Sequence, residues 1–174
     1  ISKVTYFDLN NEINIPVNGQ IQLGKDKEAL EAFLNENVKP NTKQFSSIKE
    51  RINYLIQNNY YEEEFISKYS FEFIEKLYDY LKKEDFHFKT FMAAYKFYAQ
   101  YALKTDDNAY YLENFIDRVA TNALYFGDGD EKLALELADE LIHQRYQPAT
   151  PSFLNAGRKR RGELVSCFLI QMTD

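Results

Sequence analysis

From residue 26 to residue 142 the apolar side chains recur at helical spacing, one stripe after another. No other feature of the 174-residue chain constrains its fold as much. Ala29, Leu30, Phe33 and Leu34 form the first stripe. It is expected to stop before Pro40, because proline disfavours helical backbone in the preceding residue. Ile48, Ile52, Leu55 and Ile56 form the second, opened by a capping box at Ser47-Ile48-Lys49-Glu50 and closed at Asn58-Asn59. An acidic turn from Tyr61 to Tyr69 follows, and Ser70 then caps a helix whose face is Phe71, Ile74, Tyr78 and Leu81. Phe88, Phe91, Met92, Tyr95, Ala99 and Ala102 line the next helix. Leu112, Phe115, Ile116, Val119, Ala120 and Ala123 line another, stopped by Gly127-Asp128-Gly129. Asp128 or Asp130 caps the last, with Leu133, Leu137, Leu141 and Ile142 facing inward. Each stripe must be buried against a neighbour, so the chain reads as mainly α.

Both ends depart from this period. Ile13, Ile15 and Val17 alternate, followed by Asn18-Gly19 and then Ile21 and Leu23. That pattern predicts a short hairpin near 12–24. A two-residue loop would set Val17 against Gln20, so a loop one residue longer is needed to match the faces. Pro16 marks an edge strand. Pro148 and Pro151 end the helical region, and 147–163 reads as a loop rich in Pro, Gly and Arg. The run Leu164-Val165-Ser166-Cys167-Phe168-Leu169-Ile170 then reads as a buried strand. A lone buried strand has nothing to pair with, so the chain is expected to be a piece of something larger. Two regions result: a helical domain over 1–146, and the beginning of another domain over 147–174.

Charge excludes one class of partner. The net formal charge is −6. Residues 145–163 hold Arg145, Arg158, Lys159, Arg160 and Arg161 against Glu163 alone, a local +4 that leaves −10 elsewhere. A body this acidic is not expected to bind nucleic acid. No apolar run approaches the roughly 20 residues that span a bilayer, and no signal peptide is visible, so a cytoplasmic protein is expected. A hydrophobic content of 45% is too high for a disordered chain. One cysteine rules out an internal disulfide framework, and with two histidines no metal-ligand set is read.

Several motifs have a plain reading. The aromatic series Phe88, Phe91, Tyr95, Tyr98 and Tyr101 has helical spacing and reads as core rather than a stacking platform. Glu62-Glu63-Glu64 reads as the solvated first turn of a helix, favoured by the helix dipole. His143 sits near a helix C-terminus, where positive charge is favoured, and His87 lacks a ligand partner at suitable spacing. Gly127-Asp128-Gly129-Asp130 lacks the later acidic positions of a calcium loop and reads as helix stop plus cap. The basic run Arg158-Lys159-Arg160-Arg161 is either a solvated loop or an anion site. Thr150, Ser152 and Asn155 offer donors beside Gly157 and Gly162, where backbone could approach a ligand. Cys167 by itself reads as an inert buried thiol, and Ser166 has no base beside it.

The block from Gln147 to Leu169, reading QPATPSFLNAGRKRRGELVSCFL, resembles the start of the catalytic domain of a ribonucleotide reductase large subunit. Its basic loop and the short N-terminal region resemble the bacterial class Ib form. Tyr60–Phe65, Phe91–Tyr98 and Ala102-Leu103-Lys104-Thr105 are similar to that family's helical N-terminal region, so the resemblance spans nearly the whole chain.

The resemblance implies a helical N-terminal domain with an ATP-cone remnant, followed by the first strand of a ten-stranded α/β barrel, here truncated. It implies reduction of ribonucleoside diphosphates to their 2'-deoxy forms for DNA synthesis, by radical and dithiol chemistry. Cys167 matches the first redox-active cysteine, whose disulfide partner lies outside this chain. Thr150 and Ser166 match substrate-binding positions, and Asp174 matches an acidic residue of the allosteric specificity site. No cofactor is expected in this chain. The intact enzyme is expected to take deoxynucleoside triphosphate or ATP effectors and to work as a homodimer. A separate radical-generating small subunit carries Mn or Fe, and a carrier of glutaredoxin or thioredoxin type supplies thiols. With one cysteine, the 174 residues alone are expected to be inactive. The rival reading is a non-catalytic helical module that binds a nucleotide or a partner.

Overall fold

The computed structural model describes residues 6–7, 13–14 and 23–166. Two compact units interleave along the chain. The first comprises Ile1–Lys43 and His87–Leu112, and the second comprises Gln44–Phe86 and Glu113–Asp174.

In the first unit, β1 (Tyr6–Phe7) pairs antiparallel with β2 (Ile13–Asn14), Phe7 opposite Ile13. Most of the hairpin expected at 12–24 lies outside the described residues, and its two ends go elsewhere. The partner of Ile13 lies upstream, and Leu23 and Gly24 already belong to α1 (Leu23–Phe33). Leu23, Leu30 and Leu34 follow one another at intervals of seven and four, so Leu23 joins a helical series rather than a strand. The Asn18-Gly19 turn lies outside the described residues. The helical path also does not stop before Pro40. It tightens from a π turn (Leu34–Val38) into a 3-10 turn (Lys39–Asn41). Pro40 sits in the opening positions of that turn, where a missing N–H costs nothing.

The aromatic series lies on α5 (Phe91–Lys96) and a π turn (Phe97–Tyr101). Thr90 caps α5, its hydroxyl accepting from the Ala93 amide at 3.2 Å. Phe97 and Tyr98 both turn inward, following the buried Ala94 at intervals of three and four. The expected core is therefore only partly formed by the predicted residues. Tyr95 stays 48% exposed, stacked on Phe91 at 5.7 Å, and Met92 is 56% exposed.

The second unit contains α2 (Ile48–Gln57), α3 (Glu63–Ser67), α4 (Phe71–Lys83), α6 (Phe115–Gly127), α7 (Glu131–Ile142) and α8 (Thr150–Asn155). Its starts follow the cap chemistry. Ser47 accepts from the Glu50 amide at 3.1 Å, but the Glu50 carboxylate reaches the Ser46 amide at 2.8 Å rather than that of Ser47. Ser70 accepts from the Phe73 amide at 3.1 Å. A complete capping box joins Asn114 and Asp117, each side chain accepting from the other's amide at 2.8 Å. Leu112, read as the start of that helix, therefore precedes it.

Asp128 takes the left-handed conformation at φ 49° and Gly129 has φ 93°. Asp130 then caps α7 through the Leu133 amide at 3.1 Å. The stop-and-cap reading of this segment holds. The inward face of α7 differs from the predicted one. Ala134 and Ala138 are fully buried, whereas Leu133 is 40% exposed. Small residues let the helices approach closely: a Cβ on Gly127 would lie 3.0 Å from Ala134 Cβ and 2.6 Å from Tyr69 Oη.

His143 follows α7 and is doubly held. Its Nδ1 donates to the Asp139 carbonyl at 2.9 Å and its Nε2 to the Glu84 carboxylate at 2.8 Å. The Asp139 carbonyl, helped by Glu84, raises the imidazole pKa above its usual value. The stabilisation is present below the ordinary imidazole pKa and is lost as pH rises through the raised one. Glu84→Gln is expected to lower the His143 pKa in an NMR titration, and an unchanged pKa would refute the contact.

The C-terminal part brings one further correction and leaves most of the expected strand outside the described residues. The loop expected over 147–163 contains α8. Residues 164–166 of the expected strand are not paired as a strand, and 167–170 lie outside the described residues. Within the described part, the Leu164 carbonyl that a ladder would use is already engaged. Ser152 Oγ donates to the Leu164 carbonyl at 2.9 Å, and Asn155 Nδ2 to that of Glu163 at 3.1 Å. Among the described residues no helix is long and apolar enough to cross a membrane.

Candidate functional site

Ionisable side chains lie buried in the second unit, where apolar residues would be expected. Arg51 on α2, Glu113 before α6, Arg118 on α6 and Arg158 after α8 are all buried. Glu113 is the hub. Arg118 Nη1 lies 3.1 Å from its Oε1 and Arg158 Nη2 lies 3.1 Å from its Oε2. The Tyr61 hydroxyl donates to Oε1 at 2.7 Å. Arg51 donates to Tyr61 and Tyr78, each at 3.1 Å, and lies 3.4 Å from Asp117 Oδ1.

Burial alone would favour the neutral acid at Glu113. The surrounding guanidinium groups of Arg118, Arg158 and Arg51 outweigh it and hold the carboxyl down at about 2. Asp117 goes the other way, pushed up by burial against the opposing pull of Arg51. Burial lowers Arg118, and burial raises Tyr61 to about 12, so that the phenol keeps its proton for Glu113.

The cluster holds a particular stretch of chain. Arg118 donates to the carbonyls of Leu154 (3.3 Å) and Ala156, at the end of α8. Asn122 Nδ2 donates to the Phe153 carbonyl at 3.1 Å. The basic run is therefore neither a free loop nor an open anion site. Arg158 is turned inward onto Glu113, and Arg161 Nε lies 3.3 Å from Glu62. Arg160 lies over the Tyr60 ring at 5.4 Å. Backbone bonds complete the seam: the Glu62 amide donates to the Gly157 carbonyl and the Lys159 amide to the Tyr60 carbonyl, each at 2.9 Å.

Of the predicted site residues, Thr150 opens α8 and is exposed, and Ser166 is exposed. Cys167 and Asp174 lie outside the described residues. The buried cluster was not foreseen from sequence. Two signals pointed to it: the capping box at Asn114-Asp117, and the polar Arg118, Thr121 and Asn122 set among apolar residues of one helix. Among the described residues no group of three or more His, Cys, Asp or Glu is placed to hold a metal. In the first unit a cleft of about 440 Å³ beside α1 carries opposite charges, Lys27 lying 3.9 Å from Glu31.

Two family models match the chain: Ribonucleotide reductase N-terminal over 6–86, and Ribonucleotide reductase, all-alpha domain, over 87–161. The ribonucleoside-diphosphate reductase NrdEB subunit alpha of Bacillus subtilis is 51% identical over 97% of this chain and 16% of its own length. The ribonucleoside-diphosphate reductase subunit alpha of the same organism is 49% identical over 97% of this chain and 24% of its own length. That of Mycoplasma genitalium is 50% identical over 86% of this chain and 21% of its own. The chain thus spans between a sixth and a quarter of the length of these relatives.

Proposed function

The chain belongs to the ribonucleotide reductase large-subunit family, and from that membership we propose that it forms the N-terminal part of a ribonucleoside-diphosphate reductase alpha subunit. The observation that carries the proposal is identity near 50% to such subunits along nearly the whole chain, through the Cys167 block.

In this reading Thr150 and Ser166 bind the ribonucleoside diphosphate. Cys167 is one of two thiols that together give two electrons to the 2'-carbon. The 2'-hydroxyl leaves as water, a C–H bond forms in its place, and the two sulfurs close a disulfide. The second cysteine, the radical cysteine and most of the α/β barrel belong to the rest of the subunit. The class Ib assignment, the homodimer and the thiol carrier belong to the same proposal, as do the metal-bearing small subunit and an effector contact at Asp174.

Exposure of Thr150 and Ser166 beside a tightly moored segment supports the reading, since a substrate contact needs an accessible side chain on a rigid support. Cys167→Ser in the full-length subunit, assayed with small subunit and thiol carrier, is expected to abolish multiple turnover while leaving the fold intact. Normal multiple turnover in that variant would remove Cys167 from the mechanism.

A further inference from the structure

We propose that Glu113 is a positioning residue for substrate binding: by holding Arg118 and Arg158 it fixes segment 150–166, and with it Thr150 and Ser166. The inference rests on the reading of those two positions given above. Each carboxylate oxygen of Glu113 takes a different arginine. Arg118 comes from α6, in the body of the unit, and Arg158 from the segment itself. Arg118 extends the hold to the end of α8 through the Leu154 and Ala156 carbonyls. From α8, Ser152 and Asn155 bond forward to the carbonyls of Leu164 and Glu163, just before Ser166. A change at Glu113 is thus passed along directional bonds to the end of α8, the helix that Thr150 opens, and to Leu164, two residues before Ser166, though Glu113 touches neither exposed residue.

The chemistry of the cluster favours positioning over stability. Well-packed apolar side chains often stabilise a core as much as buried ion pairs do, or more. Three arginines with two acids give directional bonds that an apolar core lacks. Those bonds select one pose of the segment.

The test uses the full-length alpha subunit with its small subunit and thiol carrier. Glu113→Gln keeps the shape of the side chain but removes the anion between the two arginines. It is expected to raise KM for the nucleoside diphosphate about ten-fold while kcat moves by less than about three-fold. Arg158→Lys keeps the charge but not the planar fork, and is expected to raise KM about three-fold. It carries the test if Glu113→Gln does not fold. Leu141→Ala, in the core at α7, is the control: it lowers thermal stability and leaves KM unchanged. Thr150→Val reports on the reading itself, with KM expected to rise. Unchanged KM in the Glu113 and Arg158 variants beside a raised KM in Thr150→Val overturns the inference. Unchanged KM in all three overturns the assignment of Thr150. A KM rise in Leu141→Ala equal to that of Glu113→Gln also overturns the inference, since loosening anywhere in the unit would then suffice.

Discussion

Arg118→Met is expected to cost the second unit about 3–5 kcal/mol of stability, the range for removing one partner of a buried ion pair. Methionine matches much of the volume but none of the charge. Glu113 would keep Arg158 and the Tyr61 hydroxyl, and the Leu154 and Ala156 carbonyls would be left without their donor. Against a typical domain stability of about 5–15 kcal/mol, the loss is large. Urea denaturation measures it, and a loss below about 1 kcal/mol would refute the role given to Arg118.

The same cluster sets a pH dependence. The folded-state pKa of Glu113 is depressed to about 2, so its contribution is complete above the ordinary carboxylate range. It is lost as pH falls from that range toward about 2. Asp117 has the opposite sign: its pKa is raised by burial, so its protonation favours the fold and partly offsets the loss. Glu113→Gln is expected to flatten the acid limb of a stability–pH profile.

Gly157→Ala is the second large effect, at roughly 2–5 kcal/mol from backbone strain and overpacking together. Gly157 has φ 75°, in the region L side chains rarely adopt. An added Cβ would lie 2.7 Å from both Phe65 Cζ and Thr121 Cγ2. Neither neighbour can give way cheaply. Phe65 and Thr121 are buried, and the Thr121 hydroxyl donates to the Asp117 carbonyl at 2.7 Å. The seam at the Glu62 and Lys159 amides should open, and their hydrogen-exchange protection should fall. Gly162→Ala is the contrast: its nearest contact would be Asn155 Nδ2 at 3.6 Å, so a change within about 0.5 kcal/mol is expected. Equal effects at the two glycines would refute the close-approach argument.

The helices were largely legible because their signals are local. Ser70 and Asp130 cap where a short polar side chain precedes an apolar series. Gly129, with Asp128, ends a helix because backbone geometry there is set by neighbouring residues. Errors arose where a distant contact decides. Which residues of α7 face inward depends on how near α6 can come, so alanines displaced Leu133. On α5 and the turn after it, Ala94, Phe97 and Tyr98 are buried while Met92 and Tyr95 stay exposed, a choice of face made by the neighbour the helix meets. Leu164 reads as a strand by composition, yet its carbonyl is taken by Ser152.

The candidate site divides in the same way. The family block up to Cys167 is a contiguous string of residues, so sequence alone determined the family resemblance and the residues proposed to meet the substrate. Arg158 also stood out in that string, but only as one cation among four. Its partner Glu113 lies 45 residues earlier. No periodicity or local motif links two residues at that separation. Only tertiary packing, which buries both away from water and so forces each charge to find the other, decided that the basic segment is an anchored strap rather than a free loop.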